Sequence, residues 1–178
     1  MPHAMTVKML MEKAAGPTTK RHRSAQDLET PWEFIKAVTK KFGEPTWDLA
    51  ATSSNSKADF WYGPESAFST DSLIMRWHEI QNVGKPTLLW LNPQFDPIRP
   101  WVEKCATESQ LGAEILLLAQ ASIDSNWFED YVWPYATVYA IKPRLRFVGH
   151  KDCYPKPLML CHYCAVPNRE LQIWRWKQ

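Results

Sequence analysis

"LLWLNPQFDPIRPW", residues 88–101, sets an apolar run directly against Asn-Pro, a polar Gln and an aromatic ring. The run TLLWLN, residues 87–92, has the length of a strand and shows no polar face, as expected of a strand covered on both sides. Asn92 precedes Pro93, and the proline ring biases the residue before it toward extended backbone. The pattern therefore presents the Asn92 carboxamide, the Pro93 carbonyl and the Phe95 ring on a rigid turn at the end of a buried strand.

The flanking segments alternate helix and strand signals. Thr30-Pro31-Trp32-Glu33 reads as a helix start, with Thr30 as the cap and Pro31 in the first helical position. Phe34, Val38 and Phe42 keep helical spacing, and Gly43 can end the helix. PTWDLAA follows as a short strand ending near Asp48, then the loop TSSNSK and a second short strand, ADFWYG. Pro100 opens a helix that Gly112 stops, AEILLLAQ is a strand, SNWFEDYVW is a helix from Ser125, and ATVYAI is a strand. RLRFVG, PLMLCHYC and LQIWRW read as three more strands. Strands alternating with helices, then strands alone, predict an α/β fold: a mostly parallel sheet with helices on both faces and an antiparallel C-terminal edge. Ligands of such sheets sit outside the carboxyl ends of the strands, and Asp48 and Asn92 share that rim.

A length of 178 residues suits a single domain with a sizeable core. Residues 1–27 lack periodicity and are expected to form a flexible basic arm, with one domain over 28–178. No apolar run approaches the ~20 residues needed to cross a bilayer, so no membrane partner is expected. No apolar secretory segment is seen at the start, which points to a cytoplasmic protein. The net charge of +2 is small, but the basic residues cluster at Lys20, Arg21 and Arg23 and again at Lys142, Arg144 and Arg146. These are either phosphate-contacting patches or a solvated face and arm. Cys161 and Cys164 lie three apart in a strand-like segment and so point to opposite faces; with no glycine to turn the chain, no metal site is expected there. The thiols are expected to be reduced and buried.

An acceptor pair beside a flat ring suits an exocyclic amine carrying two hydrogens, with Phe95 stacked on the ring that bears it. Adenine N6 is a poor nucleophile because its lone pair is delocalised. Accepting both hydrogens draws the nitrogen toward tetrahedral geometry, and such positioning needs no covalent intermediate. A base inside a duplex must be flipped out to reach such a pocket.

These residues belong to a longer series. Thr30-Pro31 opens the first helix, Asp48-Leu49-Ala50-Ala51 is followed by Asn55, and Asp71-Ser72-Leu73 precedes Trp77. Leu91-Asn92-Pro93-Gln94-Phe95 with Trp101, Trp127-Phe128, Arg144-Leu145-Arg146-Phe147, Tyr154-Pro155-Lys156-Pro157 and Trp174-Arg175-Trp176 continue it. In this order, over roughly residues 30–176, the sequence resembles phage-type DNA adenine-N6 methyltransferases. The resemblance implies a Rossmann-like methyltransferase sheet, S-adenosylmethionine as cofactor, double-stranded DNA as partner, and a phage or prophage gene expressed in a bacterial host. It implies a catalytic set of Asn92, Pro93 and Phe95, a cofactor set of Thr30, Pro31, Asp48, Ala50, Asn55 and Asp71, and DNA contacts from Lys142, Arg144 and Arg146. Asp48 either binds the cofactor's ammonium group or caps a turn; Asp71 either accepts from the cofactor's adenine or caps a helix. Gln94 departs from the family pattern, where a second proline usually stands, and DLAATSSN takes the place of the glycine-rich turn common after the first strand of cofactor-binding sheets. Cytosine N4 offers the same amine to the same acceptors, and a relative that binds DNA or cofactor without catalysis is the other alternative.

Overall fold

The computed structural model describes residues 28–80 and 86–177, and the basic cluster at Lys20, Arg21 and Arg23 lies outside them. The elements run α1 (Trp32–Phe42), β1 (Trp47–Asp48), β2 (Phe60–Trp61), β3 (Leu88–Leu91), α2 (Arg99–Gln110), β4 (Glu114–Gln120), α3 (Asn126–Tyr131), β5 (Ala136–Lys142), β6 (Leu158–Tyr163) and β7 (Leu171–Arg175). Short 3-10 turns occupy Ser72–Ile74 and Trp77–Glu79.

The strands form one sheet in the order β2-β1-β3-β4-β6-β5-β7. Every neighbouring pair is parallel except the two that involve β6. The expected mixed, mostly parallel sheet is therefore present, but the antiparallel strand is not at its edge. β6 is inserted between β4 and β5, and β7 forms the edge, parallel to β5. The side chains explain the difference. Leu158, Met159, Leu160 and Cys161 are all buried, so β6 needs cover on both faces and on both sides, whereas β7 alternates exposed and half-buried residues and tolerates an edge. RLRFVG is a second correction: it is extended but joins no ladder, and Leu145 and Phe147 turn into the core while Arg144 and Arg146 face out.

The two-residue period of a strand sorts the core into two layers. Leu88, Trp90, Leu116, Leu118 and Leu160 pack with Phe34, Ile35 and Val38 of α1 on one face. Leu89, Leu91, Ile115, Leu117 and Cys161 pack with Val102 and Cys105 of α2 and Phe128 of α3 on the other. Glu108 of α2 ties the Trp77–Glu79 turn to this second layer, accepting from the His78 backbone N–H at 2.9 Å and from the Lys104 ammonium. All four cysteines are free; Cys105 and Cys161 are buried as expected, and burial pushes both thiols up, but Cys153 is exposed.

Candidate active site

β1 and β3 run side by side in the same direction, with Asp48 opposite Trp90, so the chain beyond each strand emerges on one rim. On that rim Asn92 is fixed by its side chain. Its Nδ2 donates to the Leu28 carbonyl at 2.8 Å and to the Thr30 hydroxyl at 3.1 Å. A backbone carbonyl can only accept, so the amide orientation follows: the NH2 group is spent inward and Oδ1 is left as the carboxamide's acceptor. Thr30 is buried and serves Asn92 rather than the helix it was expected to cap. Helix α1 starts one residue later than expected, with Pro31 at its cap in extended backbone and no side-chain cap bond.

Asp48 is buried, and its two carboxylate oxygens accept from the backbone N–H groups of Ala50 at 3.2 Å and Lys57 at 2.9 Å. Burial dominates its protonation and raises its pKa from 3.8 to about 6, against the lowering effect of those two bonds and of the Lys57 charge. The carboxylate thereby folds the loop from Ala50 to Lys57 back over the strand end. Asn55 closes the same loop, its Oδ1 accepting from the Thr52 N–H at 2.8 Å.

Between this loop, the Asp71 segment and the Asn92 turn lies a cavity of about 370 Å³. Ala50, Asn55, Asp71, Asn92, Pro93 and Gln94 share its wall, so residues expected separately for cofactor and for catalysis meet at one hollow. Asp48 and Thr30 sit just beneath, around a void of about 20 Å³ that also touches Asn92 and Ala50. Pro31 touches neither hollow. Asp71 caps the Ser72–Ile74 turn, one carboxylate oxygen accepting from the Leu73 N–H at 2.9 Å. The larger hollow, about 690 Å³, opens among Gly43–Thr46, Pro86, Leu88 and Glu114, at the amino ends of β1, β3 and β4. Parallel sheets bind ligands at the opposite ends, so the smaller rim cavity is the candidate site.

Phe95 stands outside the cavity wall. It is half-buried against both core layers and meets Tyr154 edge to face at 6.0 Å. Tyr154 is itself braced, with Phe147 at 5.6 Å and its hydroxyl accepting from Gln120 Nε2 at 2.6 Å. Lys142 ends β5, and Arg144 and Arg146 follow on the extended segment; all three are exposed. Arg144 Nη1 donates to the Pro155 carbonyl at 2.9 Å, and the Tyr154 N–H to the Leu145 carbonyl at 2.8 Å, so this segment and the Tyr154 loop hold each other.

Three features escaped the sequence reading. Lys57 is buried, its Nζ 2.7 Å from Glu29 and 4.7 Å over the Trp32 ring, and nothing in TSSNSK distinguishes it from a solvated loop lysine. Ser72 Oγ is buried without a hydrogen-bond partner, beside Asp71 on the cavity wall. Gly63 has φ +141°, and a Cβ there would come within 2.0 Å of the Ala51 carbonyl oxygen, so the cavity loop and the turn after β2 approach too closely for any other residue. A Gly-Pro dipeptide was the available signal for that turn. Among the described residues no group of three His, Cys, Asp or Glu side chains is placed to hold a metal ion, and no helix is long and apolar enough to cross a membrane.

A family model described as DNA N-6-adenine-methyltransferase (Dam) matches residues 18–156, a span that contains every residue of the rim cavity. The chain belongs to this family. As a member of the Dam family it is a methyltransferase, and its mixed seven-stranded sheet with helices on both faces is a Rossmann-like arrangement. The matched span stops short of β6 and β7, which complete the sheet. Among solved structures, an Agrobacterium tumefaciens protein described as a predicted O-methyltransferase is similar at 12% identity and a TM-score of 0.39, over 80% of this chain and 83% of that one. No curated protein matches the chain at a significant level.

Proposed function

We propose that this Dam-family protein transfers a methyl group from S-adenosylmethionine to N6 of adenine in double-stranded DNA, within a single domain and in the cytoplasm of a bacterium that carries the gene on a phage or prophage. One observation carries the reading: Asn92 is anchored through both amide hydrogens, which reserves Oδ1 as an acceptor at the mouth of the rim cavity. An acceptor fixed before substrate arrives needs no reorganisation during reaction, and this is the property that makes such groups effective.

The cavity suits the cofactor in its donor set. Ser72 offers a buried hydroxyl with no partner, Asp71 has a second carboxylate oxygen beyond the one used for its cap, and Ala50, Thr52 and Asn55 bring the loop backbone to the wall. Asp48, just below, holds that loop in shape, and an ammonium group near it would favour its charged form. Pro31 contributes by leading α1 away from the rim so that Thr30 can face Asn92. When bound, S-adenosylmethionine supplies a methyl group on a sulfonium centre, which is an electrophile. Asn92 Oδ1 and the Pro93 carbonyl accept the two amine hydrogens of a flipped adenine, and the Phe95 ring, which stands outside the cavity wall against Tyr154, would stack on the part of the base that projects beyond the cavity. Lys142, Arg144 and Arg146 lie on the same rim and meet the phosphates, since β5 runs parallel to β4 across β6.

Transfer of tritiated methyl groups from S-adenosylmethionine to unmethylated duplex DNA tests this directly. Incorporation into DNA is expected. A protein that binds the cofactor and DNA but incorporates nothing would be a binder that has lost catalysis, and the proposal would fall.

A further inference from the structure

Another hollow, about 310 Å³, is lined by Tyr154 and Phe147 and not by Phe95. Buried Leu28 and Phe147 and half-buried Tyr154 give it apolar, aromatic walls, and His150, Lys151, Asp152 and Cys153 stand exposed around it. It is tied to the rim at two points. The Leu28 carbonyl is the group that anchors Asn92, and Tyr154 is the ring that braces Phe95.

We propose that this hollow takes a second nucleobase of the bound DNA, beside the one held at Asn92. The inference rests on the reading that the protein acts on DNA. Flipping one base out of a duplex leaves its neighbours with an unstacked face, and an aromatic wall is the surface that compensates them without regard to sequence. Phe147 is buried and meets Tyr154 at 5.6 Å with the planes at 87°, so it props the half-buried Tyr154 ring, which is the aromatic surface a flat base entering the hollow would meet. The surrounding charge favours a base over a bare phosphate. Asp152 lines the hollow next to Lys151 and offsets its pull on an anion, while Arg144 and Arg146 stay exposed on the adjoining segment for the backbone. The two segments are tied together, the Tyr154 N–H donating to the Leu145 carbonyl and Arg144 to the Pro155 carbonyl. A base in the hollow would therefore also set the Tyr154 ring against which Phe95 packs.

Cys153 is an exposed thiol on the rim of this hollow and reports its occupancy without reference to catalysis. The rate of its alkylation by N-ethylmaleimide, read by peptide mass spectrometry on the full chain, should fall about tenfold with saturating unmethylated duplex DNA. A deoxyribose-phosphate oligomer without bases, at equal charge, should slow it less than about twofold by screening alone. Tyr154→Phe, which keeps the ring, should retain the protection; Tyr154→Leu should lose most of it. Equal protection by the base-free oligomer would reduce the hollow to a phosphate patch and overturn the proposal. A free protein whose Cys153 is already shielded would mean the chain itself fills the hollow, which overturns it too. Tritium transfer measured on the same samples separates the two claims: transfer without base-dependent protection removes this hollow alone, and loss of both removes the DNA reading as well.

Discussion

Strands β4, β5 and β6 span six or seven residues each, while β1 and β2 span two and β3 four. The long half of the sheet is continuously apolar: the five central residues of β4, Ile115–Ala119, and the first four of β6 are all buried. The short half has an equally apolar strand in β3, Leu88–Leu91, but buries polar groups around it as well. Of the seven buried polar or charged residues among those described, Thr30, Asp48, Lys57 and Ser72 gather around β1 to β3, leaving Glu108, Ser109 and Thr137 elsewhere. Burying such groups costs free energy unless each finds a partner, and a short ladder leaves strand-end backbone available as that partner. The sheet thus divides its labour: long strands supply stability, and short strands end early enough to seat a polar site on a stable flank.

This contrast can be broken most sharply at Asn92. Asn92→Ala should lower turnover about 100- to 1000-fold, the effect of removing one preorganised acceptor, while costing only about 1–3 kcal/mol of stability from the Leu28 carbonyl and Thr30 hydroxyl that lose their donor. Turnover within tenfold of wild type would remove Asn92 from the chemistry. Leu117→Ala, in the middle of β4, should do the reverse. It should cost about 2–5 kcal/mol of stability by denaturant titration, with activity per folded molecule retained. A loss of activity without a loss of stability would erase the division between the halves.

Asp48 sharpens the comparison through pH. Its folded pKa of about 6 exceeds the unfolded value of 3.8, so the fold holds this proton longer than the unfolded chain does. The stability this brings is full below pH 3.8 and is lost as pH rises through about 6, a penalty of up to ~3 kcal/mol at neutral pH. Asp48→Asn should therefore gain stability relative to wild type between pH 4.5 and 7.5, while cofactor affinity by calorimetry falls. Parallel stability curves for the two proteins across that range would show that Asp48 is not held in the buried, proton-favouring state described.

The smallest effect is expected at the outer rim. Arg144→Gln with Arg146→Gln should reduce the slope of log affinity for DNA against log salt by up to about two, one for each phosphate contact. An unchanged slope would assign both arginines to the bonding of their own segment, as Arg144 already bonds Pro155.

The long half of the sheet was legible in the sequence because unbroken apolar runs such as AEILLLAQ encode it locally. The place of β6 was not, since strand order depends on which side chains need two covered faces, a property of the assembled sheet. At the candidate site, Asp48 and Asn92 stood out as polar residues at the ends of strands, Asn92 directly before Pro93. Their partners were not: the Leu28 carbonyl, the Thr30 hydroxyl and the Lys57 backbone come from segments up to 64 residues away, and no local pattern announces them. RLRFVG shows the opposite failure. Its alternation is real, with Leu145 and Phe147 buried and the arginines out, but its backbone bonds to Glu29 and Tyr154 rather than to a strand of the sheet.

The central claim is that the short half of the sheet delivers a methyl group to adenine N6. Enzymatic digestion of DNA treated with the protein and S-adenosylmethionine, followed by mass spectrometry of the nucleosides, tests it most directly. The account predicts N6-methyldeoxyadenosine as the only new nucleoside, formed at least about 100-fold more slowly when Asn92→Ala replaces wild type. N4-methyldeoxycytidine in its place, or no methylated nucleoside from a folded, cofactor-binding protein, would contradict it.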